Sequence, residues 1–146
     1  MDGRRLLVGF IAPVLVFAGV TRAVEAGQIV AWGRDIYGQL DVPAGDDFTA
    51  VTAGESCGVA LRSNGTLVAW GDPSSGQLDV PGGSDFVAVD AESYHCLALR
   101  ADGSIAGWGY DFYGQATPPA GNDFVAVTAG YQYSLALRQD GSLVAW

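Results

Sequence analysis

Ala98–Gln115 reads ALRADGSIAGWGYDFYGQ, and the same stretch occurs earlier, at 60–77, as ALRSNGTLVAWGDPSSGQ. Its first part returns at 136–146 as ALRQDGSLVAW. The step between copies is 38 residues, and Trp32, Trp70, Trp108 and Trp146 keep it throughout. Gly38-Gln39, Gly76-Gln77 and Gly114-Gln115 follow the same step, as do Asp47-Phe48, Asp85-Phe86 and Asp123-Phe124. A fixed period of this length marks a chain built from one repeated supersecondary unit. Three complete units result, 33–70, 71–108 and 109–146, with no insertion or deletion between them. Residues 27–32 (GQIVAW) repeat the last strand of a preceding unit.

Each unit reads as all-β. TAVTAG (49–54) alternates apolar residues with a period of two, as a half-covered strand does. GVALR (58–62) and TLVAW (66–70) flank Ser63-Asn64-Gly65, and the later copies carry Ala101-Asp102-Gly103 and Gln139-Asp140-Gly141. Asn-Gly or Asp-Gly between strands predicts a hairpin with a type I′ turn, which needs positive φ at both central residues. A fourth short strand is expected from Gln39 to Val42, ending at Pro43, where proline restricts it to an edge. Three or four antiparallel strands every 38 residues is the size of one propeller blade.

The pattern Ala-Leu-Arg-x-Asp-Gly-Ser-x-x-x-Trp-Gly-x-Asp-x-x-Gly-Gln, seen best from Ala98 to Gln115, resembles the regulator-of-chromosome-condensation repeat. The short unit with Gly-Gln-Leu-Asp-Val-Pro (38–43 and 76–81) is most similar to the bacterial branch that includes beta-lactamase inhibitory protein type II. The resemblance covers 27–146 and implies an all-β fold, a seven-bladed β-propeller. It also implies a role in binding another protein. This sequence departs from the family pattern in two places. Only His95 matches the usual histidine before the Ala-Leu stretch, with Cys57 and Tyr133 in the equivalent places, and Pro73 stands where Asp35 and Asp111 stand in the other units.

Propellers close with four to eight blades, and three units do not reach that number. Two arrangements remain open: several chains complete a ring, or these are about three blades of a truncated seven-bladed one. Both ends carry the same strand (GQIVAW and GSLVAW), so end-to-end joining would duplicate it. Trp146 also lacks the glycine that follows every other copy. Both points favour truncation.

Sixteen acidic residues face seven arginines and no lysine, for a net charge of −9. Such a chain has no electrostatic footprint for phosphate backbones, which argues against nucleic acid as a partner. It also argues against the nuclear exchange role of the family's eukaryotic namesake. Residues 1–26 read as a secretory signal peptide. Arg4 and Arg5 precede an uncharged stretch, Leu6 to Val20, that is short for a membrane span, and Val24-Glu25-Ala26 offers a cleavage site. The expected location is secreted or periplasmic in a bacterium, with no membrane attachment after cleavage. The remaining chain carries four arginines against fourteen acids, a net charge of −10.

Catalytic, metal and cofactor sites are not expected. His95 is the only histidine and sits at a repeat-equivalent position, which suits packing or hydrogen bonding. Asp46-Asp47 has the look of a carboxylate pair, but Asp47, Asp85 and Asp123 recur in every unit. In a meander each should meet the arginine at the end of the next strand: Arg62, Arg100 and Arg138. An extracellular hydrolase or lyase fragment is the alternative class, and a non-functional truncated gene product a third.

Two sets of residues remain. Cys57 and Cys96 are separated by one repeat plus one residue, so they lie on opposite strand faces, Cys57 with Val59 and Leu61 and Cys96 with Ala98. If the large face of one blade packs on the small face of the next, the sulfurs oppose each other and a disulfide is possible; the other packing hand leaves two free thiols. Fifteen of 38 unit positions are identical in all copies, and the variable ones concentrate in two loops, one after the Trp and one before the Ala-Leu-Arg strand. Adjacent connections in a meander alternate ends, so both loops should crowd one rim. Tyr37, Tyr94, Tyr110, Phe112, Tyr113 and Tyr131 would then form a face for a protein partner, since aromatics dominate interface cores. Tyr133 is in strand register and is expected to pack against its own blade.

Overall fold

The computed structural model describes residues 26–146; the signal peptide read over 1–26 lies outside it, Ala26 apart. Among these residues nine strands form three separate antiparallel sheets. The first holds β1 (Phe48–Ala53), β2 (Cys57–Arg62) and β3 (Leu67–Gly71). The second holds β4 (Phe86–Glu92), β5 (His95–Arg100) and β6 (Ile105–Gly109), and the third β7 (Phe124–Ala129), β8 (Ser134–Arg138) and β9 (Leu143–Ala145). Each sheet is a simple meander with the first strand paired to the second and the second to the third. Among the described residues no helix is long and apolar enough to cross a membrane.

Blades pack large face on small face. Cys57, Val59 and Leu61 of β2 share one buried cluster with Cys96 and Ala98 of β5, together with Phe86, Ala91 and Trp108. The next interface repeats the scheme, with Leu99 of β5 against Phe124 and Ala136. Val59 and Leu97 are wholly buried, each side chain contributing about 1.5–3 kcal/mol by leaving water. A second tie runs along the first strands of the blades. The Asp90 carboxylate accepts hydrogen bonds from Thr52 Oγ1 at 3.2 Å, Thr128 Oγ1 at 2.8 Å and the Ala129 N–H at 2.9 Å, joining all three blades.

The hairpins differ from the type I′ expectation. Among the described non-glycine residues only Ser93 has positive φ, so Asn64, Asp102 and Asp140 do not. The Gly65 N–H donates to the Arg62 carbonyl and the Arg62 N–H to the Thr66 carbonyl, both at 2.9 Å. This is a three-residue loop with glycine in the left-handed region, the G1-bulge form. Its cause is visible in the second loop residue. Asn64 Oδ1 accepts the N–H of Thr66, and Asp102 and Asp140 do the same for Ser104 and Ser142.

The expected fourth strand at 39–42 is also absent. The Asp41 N–H turns back to the Gly38 carbonyl at 3.1 Å and the Val42 N–H to Leu40 at 2.8 Å, so the segment curls instead of extending. Trp Nε1 seals it to the blade, donating to the carbonyl of Gln39 from Trp70 (2.8 Å), of Gln77 from Trp108 (2.9 Å) and of Gln115 from Trp146 (3.1 Å). Residues 27–32 form no strand among the described residues. Gly27 alone bridges Phe48, where its repeat equivalents Gly65 and Gly103 accept from Phe86 and Phe124.

The repeated ion pairs form as expected. Arg62, Arg100 and Arg138 each place Nη1 2.5 Å from Oδ1 of Asp47, Asp85 and Asp123. A bulge in each first strand sets the preceding aromatic under the guanidinium, which lies 4.2–4.6 Å from the ring centroids of Phe48, Phe86 and Phe124.

Candidate functional site: the aromatic rim

Both variable loops lie at the same end of the sheets. Cys57 pairs with Gly71 and His95 with Gly109, so the start of each second strand sits beside the end of each third strand. The loops are tied there directly: the Asp72 N–H donates to the Ser56 carbonyl at 2.9 Å and the Tyr110 N–H to Tyr94 at 2.8 Å. The Asn-Gly and Asp-Gly hairpins and the Asp–Arg pairs occupy the opposite rim.

The loop after the Trp is held by a residue whose role the sequence did not disclose. Gln39 Oε1 accepts the N–H groups of Ile36 and Tyr37 at 3.0 and 2.7 Å. Gln77 does so for Ser75 at 2.8 Å and Gln115 for Tyr113 at 2.9 Å. The invariance of the Gly-Gln pair was visible, yet only the fold shows that the amide braces the backbone of the variable loop. Asp111 adds to it by accepting from the Ala116 N–H at 2.7 Å. The loop backbones are thereby fixed while their outward side chains differ from blade to blade.

The six aromatics are placed as follows. Phe112 is 75% exposed, Tyr131 63%, Tyr113 60% and Tyr37 52%, while Tyr94 and Tyr110 are more covered. Tyr110 stacks on Phe112 with centroids 6.4 Å apart, and Phe112 meets Tyr113 edge-on at 5.0 Å. Tyr94, Tyr110 and Tyr131 line a pocket of about 270 Å³ floored by Ser93 and Gln115. The neighbouring Glu55 carboxylate raises the Tyr94 phenol above its usual range; Tyr131 and Tyr37 lie close enough to act in the same direction. Two blade junctions therefore contribute to one aromatic surface. Tyr133 stays apart, its ring over Gly130 of its own blade, although it is half exposed.

His95 is buried, 1% exposed, with Nε2 3.0 Å from Ser134 Oγ in the next blade, and Nδ1 without a partner among the described residues. Burial holds its pKa below the usual value, against the opposing pull of Asp111, Asp90 and Glu92. Among the described residues no three His, Cys, Asp or Glu side chains are grouped to hold a metal ion. Asp47 is engaged by Arg62, and Asp46 is exposed.

Cys57 and Cys96 are free thiols in the structure, both buried in the cluster between the first two blades. The neighbouring Cys96 thiol holds Cys57 below the usual thiol range. Cys57, with burial, pushes Cys96 up.

No curated protein sequence matches the chain. Among solved structures it is similar to Prp20p of Saccharomyces cerevisiae, at 19% identity and a TM-score of 0.66, covering 79% of this chain and 40% of that one. It is also similar to the ectodomain of the Physcomitrella patens receptor kinase CR4, at 25% identity and a TM-score of 0.65, over 79% and 34%. Human WBSCR16 follows at 18% identity and 0.62, over 72% and 34%. The chain thus spans two fifths or less of the length of these propellers. The likeness to the bacterial inhibitory branch rests on the sequence motif. Residues 44–77 and 86–115 match the regulator of chromosome condensation (RCC1) repeat, and the three sheets have the form of that repeat's propeller blades.

Proposed function

We propose that the chain is a secreted, non-enzymatic binding module that holds a protein partner on its aromatic rim. The observation that carries this reading is the sorting of residues between rims: braced loops with outward, variable aromatics at one end, and cohesive invariant residues at the other. Exposed Tyr and Phe on a fixed backbone give large contact area with little ordering cost on binding. The solved propellers support the class: Prp20p is described as binding Gsp1p and histones, and is seen bound to Kap60. The acidity of this chain favours a protein over nucleic acid. The export reading rests on residues 1–26 of the sequence.

The test replaces Tyr94, Tyr110 and Tyr113 by Ala together in the full-length protein. Immobilised wild-type and variant protein are then compared for what they retain from the secreted proteins of the source organism. The expected result is an identified band held by the wild type and lost from the variant, with unchanged far-ultraviolet circular dichroism and melting. A variant that unfolds, with no change in what is retained, shows that the aromatics are core and overturns the reading.

A further inference from the structure

We propose that Cys57 and Cys96 are an oxidative modification site, closing to an inter-blade disulfide when the chain folds in the presence of a low-molecular-weight disulfide. This inference is independent of the aromatic rim. Its first support is the packing: the large face of blade one meets the small face of blade two, the single arrangement that brings the sulfurs together. The second support is an independent copy of the same contact. One repeat later, Cys57 becomes His95 and Cys96 becomes Ser134, and there Nε2 and Oγ stand 3.0 Å apart in a fully buried hydrogen bond. The fold therefore builds a side-chain contact across the blade junction at this pair of positions, and at the first junction both members are thiols.

Burial dictates when the reaction occurs. Cys57 is 3% exposed and Cys96 0%, so an external disulfide reaches them while the blades are still docking. With the junction still open, either cysteine starts the exchange, and the order from Cys57 stands for both. The Cys57 thiolate attacks one sulfur of the small disulfide, giving a mixed disulfide and releasing one small thiolate. The Cys96 thiolate then attacks Cys57 Sγ, forming the Cys57–Cys96 bond and releasing the second small thiolate. The two cysteine protons end on the two released thiols. The protein pair is oxidised and the small disulfide reduced, so atoms and electrons balance. Once packed, the bond lies out of reach of reductant.

The experiment refolds the full chain from denaturant in buffers of oxidised and reduced glutathione at graded ratios. Samples are quenched with an alkylating reagent under denaturing conditions and read by mass spectrometry and peptide mapping. The expected product is a monomer carrying no alkyl groups, lighter by two hydrogens, with Cys57 and Cys96 peptides linked. Its denaturant midpoint lies above that of the reduced chain. Cys57→Ser should abolish this product and leave Cys96 alkylated. Two alkylated cysteines at every ratio, or only glutathione adducts and intermolecular bonds, overturn the proposal, and the wild-type measurement decides even if Cys57→Ser fails to fold.

Discussion

Gly103 and Gly141 occupy the same place in the same hairpin, with φ of +83° and +86°, and differ only in what lies beyond them. A Cβ on Gly103 would stand 2.3 Å from the Asn122 carbonyl oxygen of the next blade, whereas one on Gly141 meets nothing within 4 Å. Alanine at either position takes the left-handed strain, about 1–2 kcal/mol, offset by roughly 0.4–1 kcal/mol through a less flexible unfolded chain. Gly141→Ala should therefore cost about 0–1.6 kcal/mol. At Gly103 the hairpin must also retreat from Asn122. That retreat weakens the 3.1 Å bond from the Phe124 N–H to the Gly103 carbonyl, worth about 0.5–1.5 kcal/mol, and loosens the packing of Phe124, which is 2% exposed. Gly103→Ala should cost about 2–4 kcal/mol in total. At this length each kcal/mol lowers Tm by about 3–6 °C, so thermal melts followed by far-ultraviolet circular dichroism separate the two variants clearly. Gly65→Ala, whose Cβ would meet the Ser84 carbonyl oxygen at 2.2 Å, should track Gly103→Ala. Equal losses at Gly103 and Gly141 would show that the hairpins do not hold neighbouring blades together, and the reasoning would fail.

Arg100→Met keeps the stem over Phe86 and removes the charge, and a loss of about 1–2 kcal/mol is expected from a part-exposed ion pair plus a cation–π contact. Molar salt should shrink the difference by screening the ion pair, and a variant as stable as wild type would dismiss the pair as idle. His95 makes stability depend on pH: the unfolded histidine protonates near pH 6.5, the buried one only at lower pH. Stability is thus full above about pH 6.5 and falls below it by up to about 1.4 kcal/mol per pH unit. Denaturant midpoints between pH 7 and 5 should decline for wild type and stay flatter for His95→Gln; parallel curves would remove His95 as the cause.

The 38-residue period made the blades, their strands and the Asp–Arg pairs legible, because each depends on contacts within a unit that recur at fixed spacing. What was illegible depends on competing hydrogen bonds. Asn64-Gly65 predicts a two-residue turn until the Asn64 side chain is seen to claim the Thr66 N–H. Gln39–Val42 reads as a strand by its apolar residues, yet the segment bonds to itself and takes the Trp70 indole on its carbonyl. The placement of the six aromatics on one rim followed from the parity of the connections, which holds for three strands as it does for four. The bracing by Gln39, Gln77 and Gln115 left no sign beyond invariance, since a glutamine two residues after the N–H that donates to it has no pattern of its own.

One column of the repeat departs from the division between constant and variable rims. Cys57, His95 and Tyr133 are equivalent, lie at or beside a second strand, and share no chemistry. Were they free loop positions, their variation would be unconstrained. Instead the residue 39 positions later changes with them: Cys57 faces Cys96, and His95 faces Ser134. Identical blades present identical faces, so a chain of them can dock out of order or exchange blades between molecules. A buried polar contact that is satisfied only by its own neighbour opposes this, because mispairing leaves a buried donor or acceptor without a partner at about 1–3 kcal/mol. His95 against Cys96 would forfeit the serine hydroxyl, and Cys57 against Ser134 would forfeit the thiol pair. Apolar faces alone, Val59 and Leu61 against Ala98, or Leu97 and Leu99 against Ala136, are nearly interchangeable in size and cannot discriminate. The matched polar pair at each junction thus favours one order of otherwise similar blades, alongside the Asp90 bonds to Thr52 and Thr128, and the pocket lined by Tyr94, Tyr110 and Tyr131 belongs to blades two and three as neighbours.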